Sequence, residues 1–254
     1  MLLFNSLGID FMRTKNTSTG SYSSFNSILN EDTPWAVKEA YKTLRTNATL
    51  SLPDEGHRII GFTSAEPHDG KTTNAVNFAI SLGQIDKKVL LIDCDLRKPM
   101  VARMLELDTS AGLSDMISGQ ARARDVLLHS AEHNIDVIPA GNMTPDPTLL
   151  LQSDRMKMTI QELKKVYDYI VIDLPPATVV TDASLLADNI DGFILVIRHN
   201  TTDYRSVSDM MEQLDLANAQ VIGFVYNDAT AGEGHYDSNY GYKKYGYGGC
   251  KKSP

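Results

Sequence analysis

Hydrophobic and polar positions alternate along this chain in blocks rather than singly. Near-continuous apolar, β-branched runs occupy positions 58–63, 88–93, 135–139, 169–173, 192–198 and 220–226. Such runs suit strands covered on both faces, because a half-solvated strand would alternate apolar with polar. Helical spacing fills the intervals, most clearly at 72–84, 153–166, 182–187 and 203–216. An earlier helix is marked by Val37, Ala40, Tyr41, Leu44 and Ala48, which form one stripe. Thr33-Pro34 reads as its N-cap and first turn, and Pro53-Asp54-Glu55-Gly56 as the turn that ends it. Strand–helix alternation on this scale predicts an α/β fold, a mainly parallel sheet flanked by helices in three layers.

Both ends depart from that pattern. Positions 14–27 are almost wholly Ser, Thr, Asn and Gly, so residues 1–29 are expected to be a flexible polar leader. Residues 30–229 form the expected domain, and 230–254 a flexible Gly/Tyr-rich tail. Five of the eleven tyrosines, Tyr236, Tyr240, Tyr242, Tyr245 and Tyr247, fall within twelve residues of that tail.

Composition narrows the class. Lys+Arg 24 against Asp+Glu 32 gives a net charge of −8, which argues against a general nucleic-acid surface. The longest aliphatic runs, 89–92 and 193–197, are far short of the roughly 18 residues a membrane-crossing helix needs. Met1-Leu2-Leu3-Phe4 lacks the basic flank and length of a signal peptide. Two cysteines, Cys94 and Cys250, make neither a disulfide framework nor a metal spacing, and a reduced, cytoplasmic compartment is expected.

The chemistry-bearing residues sit where strands end. After the 58–63 run come Ser64-Ala65-Glu66-Pro67-His68-Asp69-Gly70-Lys71-Thr72-Thr73 and then a helix. Strand, loop, GK[ST], helix is a phosphate-binding loop, with Ala65 at the usual first glycine. Backbone N–H groups and the helix N-terminus can face phosphates there. Gly70 permits close approach, Lys71 reaches the β/γ-phosphates, and the Thr72 hydroxyl suits Mg²⁺. Asp93 and Asp95 end the second strand and Asp173 ends another. In an open parallel sheet all three should converge beside the loop.

Together these segments resemble the bacterial P-loop protein-tyrosine kinases of capsular and exopolysaccharide synthesis. Ala65 to Thr72 is similar to their Walker A. The aliphatic run followed by Asp93-Cys94-Asp95-Leu96-Arg97 resembles their Walker A′, and the run ending in Asp173-Leu174-Pro175 their Walker B. Glu39, Lys42 and Arg45 resemble the family's E-x-x-R-x-x-R helix with lysine for one arginine, and the tyrosine cluster resembles its autophosphorylated tail.

The resemblance implies a Min/Par-like P-loop fold that uses ATP and Mg²⁺, with Thr72, Asp95 and Asp173 toward the metal. It implies Asp93 as the leading base for the tyrosine hydroxyl, although sequence leaves base and ligand interchangeable between Asp93 and Asp95. Arg97 either supports the phosphates or pairs with a carboxylate, and Asn227 is placed to contact adenine. A ring-like homo-oligomer through the Glu39/Lys42/Arg45 face is also implied; otherwise these are charges on the solvated side of a helix. Implied partners are a separate transmembrane activator, a cognate tyrosine phosphatase and polysaccharide-synthesis proteins, with recruitment to the inner membrane face. Two other readings compete. A Min/Par partition ATPase would carry a signature lysine where this chain has Glu66. A nucleotide-dependent adaptor would bind ATP and transfer nothing.

Overall fold

A computed structural model describes residues 28–52 and 58–228. The leader before position 28, the 53–57 turn and the tail tyrosines lie outside the described residues. Seven strands form one sheet in the order β3-β4-β2-β5-β1-β6-β7. They are β1 (Arg58–Ser64), β2 (Val89–Asp93), β3 (Leu128–Ser130), β4 (Ile135–Ile138), β5 (Tyr169–Asp173), β6 (Gly192–Arg198) and β7 (Val221–Asn227). All neighbours pair in parallel except β3, which runs antiparallel to β4 at one edge.

Every residue of β1, β2 and β5 is buried. Successive side chains leave opposite faces of a strand, so each aliphatic run feeds two cores at once. Ile60, Phe62, Leu91, Val171 and Ile194 join one core with α1 (Trp35–Ser51), α2 (Lys71–Gly83) and α3 (Val101–Met104). Ile59, Leu90, Ile92, Ile170 and Phe193 join the other. That second face is covered from α4 (Leu113–Ser118), α6 (Pro147–Leu151), α7 (Asp154–Lys164) and α9 (Tyr204–Leu216), after the short α5 (Ala123–Val126). The short α8 (Asp182–Leu185) and a 3-10 turn at Ala187–Asn189 precede β6. Each fully buried aliphatic or aromatic side chain contributes about 1.5–3 kcal/mol, so both faces are well anchored. Phe62 and Phe78 meet with ring centroids 5.3 Å apart and tie β1 to α2 directly.

One expectation about capping is corrected. Pro34, not Thr33, occupies the N-cap of α1, and the helix begins at Trp35. The Thr33 hydroxyl instead accepts from Asn30 N at 2.9 Å, closing the turn before the helix.

Strand order and register position the site. β1 lies between β5 and β6, β5 lies between β2 and β1, and Asp93 pairs in register with Asp173. The loop after β1 therefore emerges next to both strand-end carboxylates.

Candidate nucleotide-binding site

The loop from Ser64 to Lys71 is drawn back onto the protein by its carbonyls. Side-chain donors reach five of them: Thr178 to Ala65 O, Ser64 to Glu66 O at 2.8 Å, Arg198 to His68 O at 3.3 Å, Asn227 Nδ2 to Asp69 O at 2.8 Å and Asn74 Nδ2 to Gly70 O at 2.9 Å. A trans peptide holds N–H opposite C=O, so carbonyls tied inward turn the amides that follow them outward. Gly70 makes the last turn with φ +98°, in the left-handed region, and acts as the N-cap of α2. Apart from Glu66 N, which Asp69 holds, the loop's N–H groups are left to line a concavity at a helix N-terminus, the backbone geometry that binds anions. Asp69 braces the loop from within. Its Oδ2 accepts from Glu66 N at 2.9 Å and its Oδ1 from the Thr202 hydroxyl at 2.8 Å. Burial pushes its carboxyl up, with those hydrogen bonds opposing.

Four predicted residues meet at the floor. Lys71 Nζ lies 2.8 Å from Asp95 Oδ2, 3.7 Å from Asp173 Oδ1 and 3.3 Å from the Thr72 hydroxyl. That hydroxyl donates to Asp173 Oδ2 at 2.7 Å. Burial alone would lower the Lys71 ammonium, but Asp173 and Asp95 outweigh it and its pKa is raised. Asp173 is fully buried and its pKa is raised by desolvation, against the stabilising charge of Lys71.

Asp93 is separate from this group. Its Oδ1 accepts from Asp95 N at 3.1 Å, and its Oδ2 from Met100 N and Val101 N, each at 3.1 Å. It thereby shapes the turn that delivers Asp95. Desolvation first, and then the Asp173 charge, push its pKa up to about 7.

Asp173 Oδ1 is buried with no hydrogen-bond partner, and the Lys71 ammonium at 3.7 Å compensates it only in part. A cation is the natural occupant, and the donors at hand are the hard oxygens of Asp173, Asp95 and Thr72. No cluster of three or more His, Cys, Asp or Glu side chains could hold a metal ion among the described residues. The oxygens of Asp173, Asp95 and Thr72 suit Mg²⁺, which takes one or two carboxylates and completes its shell with water and phosphate.

Arg97 points elsewhere. Its Nε lies 3.3 Å from Asp182 Oδ2 and its terminal nitrogen donates to Thr148 Oγ1 at 2.9 Å. Of its two expected roles, the structure displays the carboxylate pair. Asp182 and Thr148, 85 and 51 residues away, carried no sequence signal. On α1, Lys42 pairs with Glu39 at 2.7 Å on the surface, whereas Arg45 turns inward to Ser81 O on α2. Burial lowers the Arg45 pKa. Glu66 binds the Ser206 hydroxyl of α9 at 2.7 Å. Pro67 and Thr73 lie within the same loop and first helical turn.

This geometry defines a P-loop nucleotide-binding protein, and an AAA domain matches residues 57–222. The chain belongs, more narrowly, to the family of bacterial tyrosine-protein kinases. It is 33% identical over 213 residues to tyrosine-protein kinase YwqD of Bacillus subtilis, covering 84% of this chain and 86% of that one. It is 32% identical over 209 residues to tyrosine-protein kinase CpsD of Streptococcus agalactiae, covering 81% and 90%. The kinase domain of Escherichia coli tyrosine kinase ETK superposes with a TM-score of 0.77 at 30% identity, covering 91% of this chain and 88% of that one. The Pyrococcus horikoshii septum site-determining protein MinD, complexed with Mg-ADP, matches at a TM-score of 0.57 and 26% identity over 67% of this chain and 70% of that one. The fold is thus shared with Min-type ATPases, while the likeness to kinases extends further along the chain.

Proposed function

We propose that this protein is an ATP-dependent tyrosine kinase that phosphorylates the C-terminal tyrosine cluster of a neighbouring subunit and so regulates polysaccharide synthesis and export. The observation that carries the reading is the floor of the loop, where Lys71, Thr72, Asp95 and Asp173 converge. With the kinase names of its relatives, that group favours phosphoryl transfer over mere nucleotide capture.

The loop amides and Lys71 would hold ATP, with Lys71 exchanging Asp95 for phosphate oxygens. Thr72, Asp95 and Asp173 would hold Mg²⁺, which when bound offsets charge on the phosphates. Asn227 Nδ2 is committed to Asp69, so an adenine contact falls to its Oδ1. In the reaction a tyrosine oxygen bonds to the γ-phosphorus, the bond to the β-phosphate oxygen breaks, and ADP leaves with that electron pair. The phenol, with a pKa of about 10, loses its proton to a carboxylate as it attacks. We assign that role to Asp93, whose raised pKa suits proton acceptance near neutrality, with Asp95 beside the phosphates. Three backbone N–H groups bind Asp93, so it would act after the Asp95–Val101 turn adjusts around bound nucleotide.

Glu39, Lys42 and Arg45 would meet the next subunit of a ring-like oligomer, Arg45 by leaving Ser81 O. A separate transmembrane activator would recruit the chain to the inner membrane face, and a cognate phosphatase would reverse the modification. Among the described residues no helix is long and apolar enough to cross a membrane. The Min/Par alternative is disfavoured by Glu66, which binds Ser206 of its own chain where a partner-seeking lysine would stand.

The decisive experiment is incubation with Mg-ATP followed by a phosphotyrosine blot. Wild type should label, while Lys71→Met and a chain truncated before Tyr236 should not. Label surviving in Lys71→Met would end the kinase reading. Wild type that binds Mg-ATP without labelling would favour the adaptor.

A further inference from the structure

A buried chain of polar groups runs from the segment before α1 to the phosphate loop. Leu29 N donates to Asn77 Oδ1 at 2.8 Å. Asn77 Nδ2 donates to the Tyr41 hydroxyl at 3.1 Å, and that hydroxyl donates to Asn74 Oδ1 at 3.2 Å. Asn74 Nδ2 then donates to Gly70 O at 2.9 Å. Tyr41 and Asn74 are fully buried, and Asn77 and Leu29 nearly so. All four bonds run in one sense, so the orientation of each carboxamide fixes the next. With its oxygen taking the Tyr41 proton, the Asn74 amide can only present nitrogen to Gly70. Burial also holds the Tyr41 phenol well above its ordinary pKa, so it remains a donor at any working pH.

Nothing in helix formation calls for this. Gly70 O already accepts the α-helical bond from Asn74 N at 3.0 Å, so the side-chain bond is a second hold on the same carbonyl. That carbonyl precedes the Lys71 amide, and the pull on it helps aim the loop's N–H groups outward. The helix supplying the phenol lies outside the 57–222 AAA match, so the relay joins that domain to a part of the chain that precedes it.

We infer that the Tyr41 hydroxyl is a positioning group for the phosphate loop, coupling the seating of α1 and the Leu29 segment to nucleotide affinity. The inference rests on reading the loop as a nucleotide site. Coupling free energies are reciprocal, so nucleotide must tighten the Leu29 end as much as that end tightens the loop.

Two measurements on the full chain test it. In wild type, Mg-ADP should slow hydrogen exchange of the Leu29 amide. The Asn142 amide, bonded to Asp115 Oδ2 at 3.0 Å in the segment after β4, should not respond comparably. Tyr41→Phe should weaken Mg-ADP binding about three- to tenfold, the range expected for one buried hydrogen bond. KM for ATP should rise in step while kcat stays within about twofold. Tyr167→Phe, which removes a hydroxyl bonded to Asp136, is the control and should leave affinity unchanged. Equal affinity in wild type and Tyr41→Phe, or a Leu29 amide indifferent to Mg-ADP, overturns the relay and leaves the kinase reading standing. Failure of wild type to bind Mg-ADP overturns the nucleotide reading and the relay with it. Should Tyr41→Phe not fold, the wild-type exchange measurement decides alone.

Discussion

At Gly70, φ is +98° and a Cβ built on the backbone would lie 2.1 Å from Asn227 Nδ2. An alanine there must both adopt a left-handed conformation and displace the amide that holds Asp69 O. Gly70→Ala should therefore cost about 1–3 kcal/mol in stability and weaken Mg-ADP binding by more than tenfold, read by thermal melts and calorimetry. Asp93 offers a test of opposite character. Its folded pKa lies above the roughly 3.9 of an unfolded aspartate, so the native state keeps the proton longer. The stability this contributes is present below about pH 4 and is lost as pH rises toward about 7. Asp93→Asn cannot lose it. In nucleotide-free protein, the melting temperature of Asp93→Asn relative to wild type should accordingly rise between pH 5 and pH 8. A pH-independent difference would show that Asp93 carries its charge throughout.

At the scale of elements, α1 separates two kinds of charged residue. Arg45→Ala removes a charged donor from Ser81 O and should cost about 1.5–3 kcal/mol by chemical denaturation. Lys42→Ala breaks only the exposed pair with Glu39 and should cost under about 0.5 kcal/mol. Spacing alone put both residues on one solvated face, since it shows which side a side chain leaves from and not how far it bends back. The same divide governs the fold. Runs such as 169–173 and 192–198 became strands at the expected bounds because burial on both faces demands unbroken apolar sequence. Strand β3 escaped notice because its three residues are held by backbone pairing at an edge, with only Ser130 buried. Lys71, Thr72, Asp95 and Asp173 were legible because a parallel sheet brings the ends of its strands together. The Arg97–Asp182–Thr148 contacts and the Tyr41 relay join distant residues by geometry, which no local pattern encodes.

For the whole molecule, net charge is the quantity the proposed reaction changes. The tail tyrosines lie outside the described residues, yet five phosphates would add roughly −7 to −10 to a chain that starts at −8. Repulsion between such tails should weaken a ring, so light scattering before and after phosphatase should show mass rising on dephosphorylation. An unchanged mass would sink that idea.

The end of β7 carries a further consequence. Asn227, its last residue, holds the phosphate loop, so the chain beyond it starts at the rim of the site. Tyr236 follows Asn227 by 9 residues and Tyr247 by 20. At roughly 3.5 Å per extended residue, those tethers reach at most about 30 Å and 70 Å. Effective concentration peaks where tether and span match, so on the proposed reading each tyrosine would favour acceptor sites at its own distance. If the tail is the substrate, its length would act as a ruler, sorting acceptors between the near and far sides of an assembly.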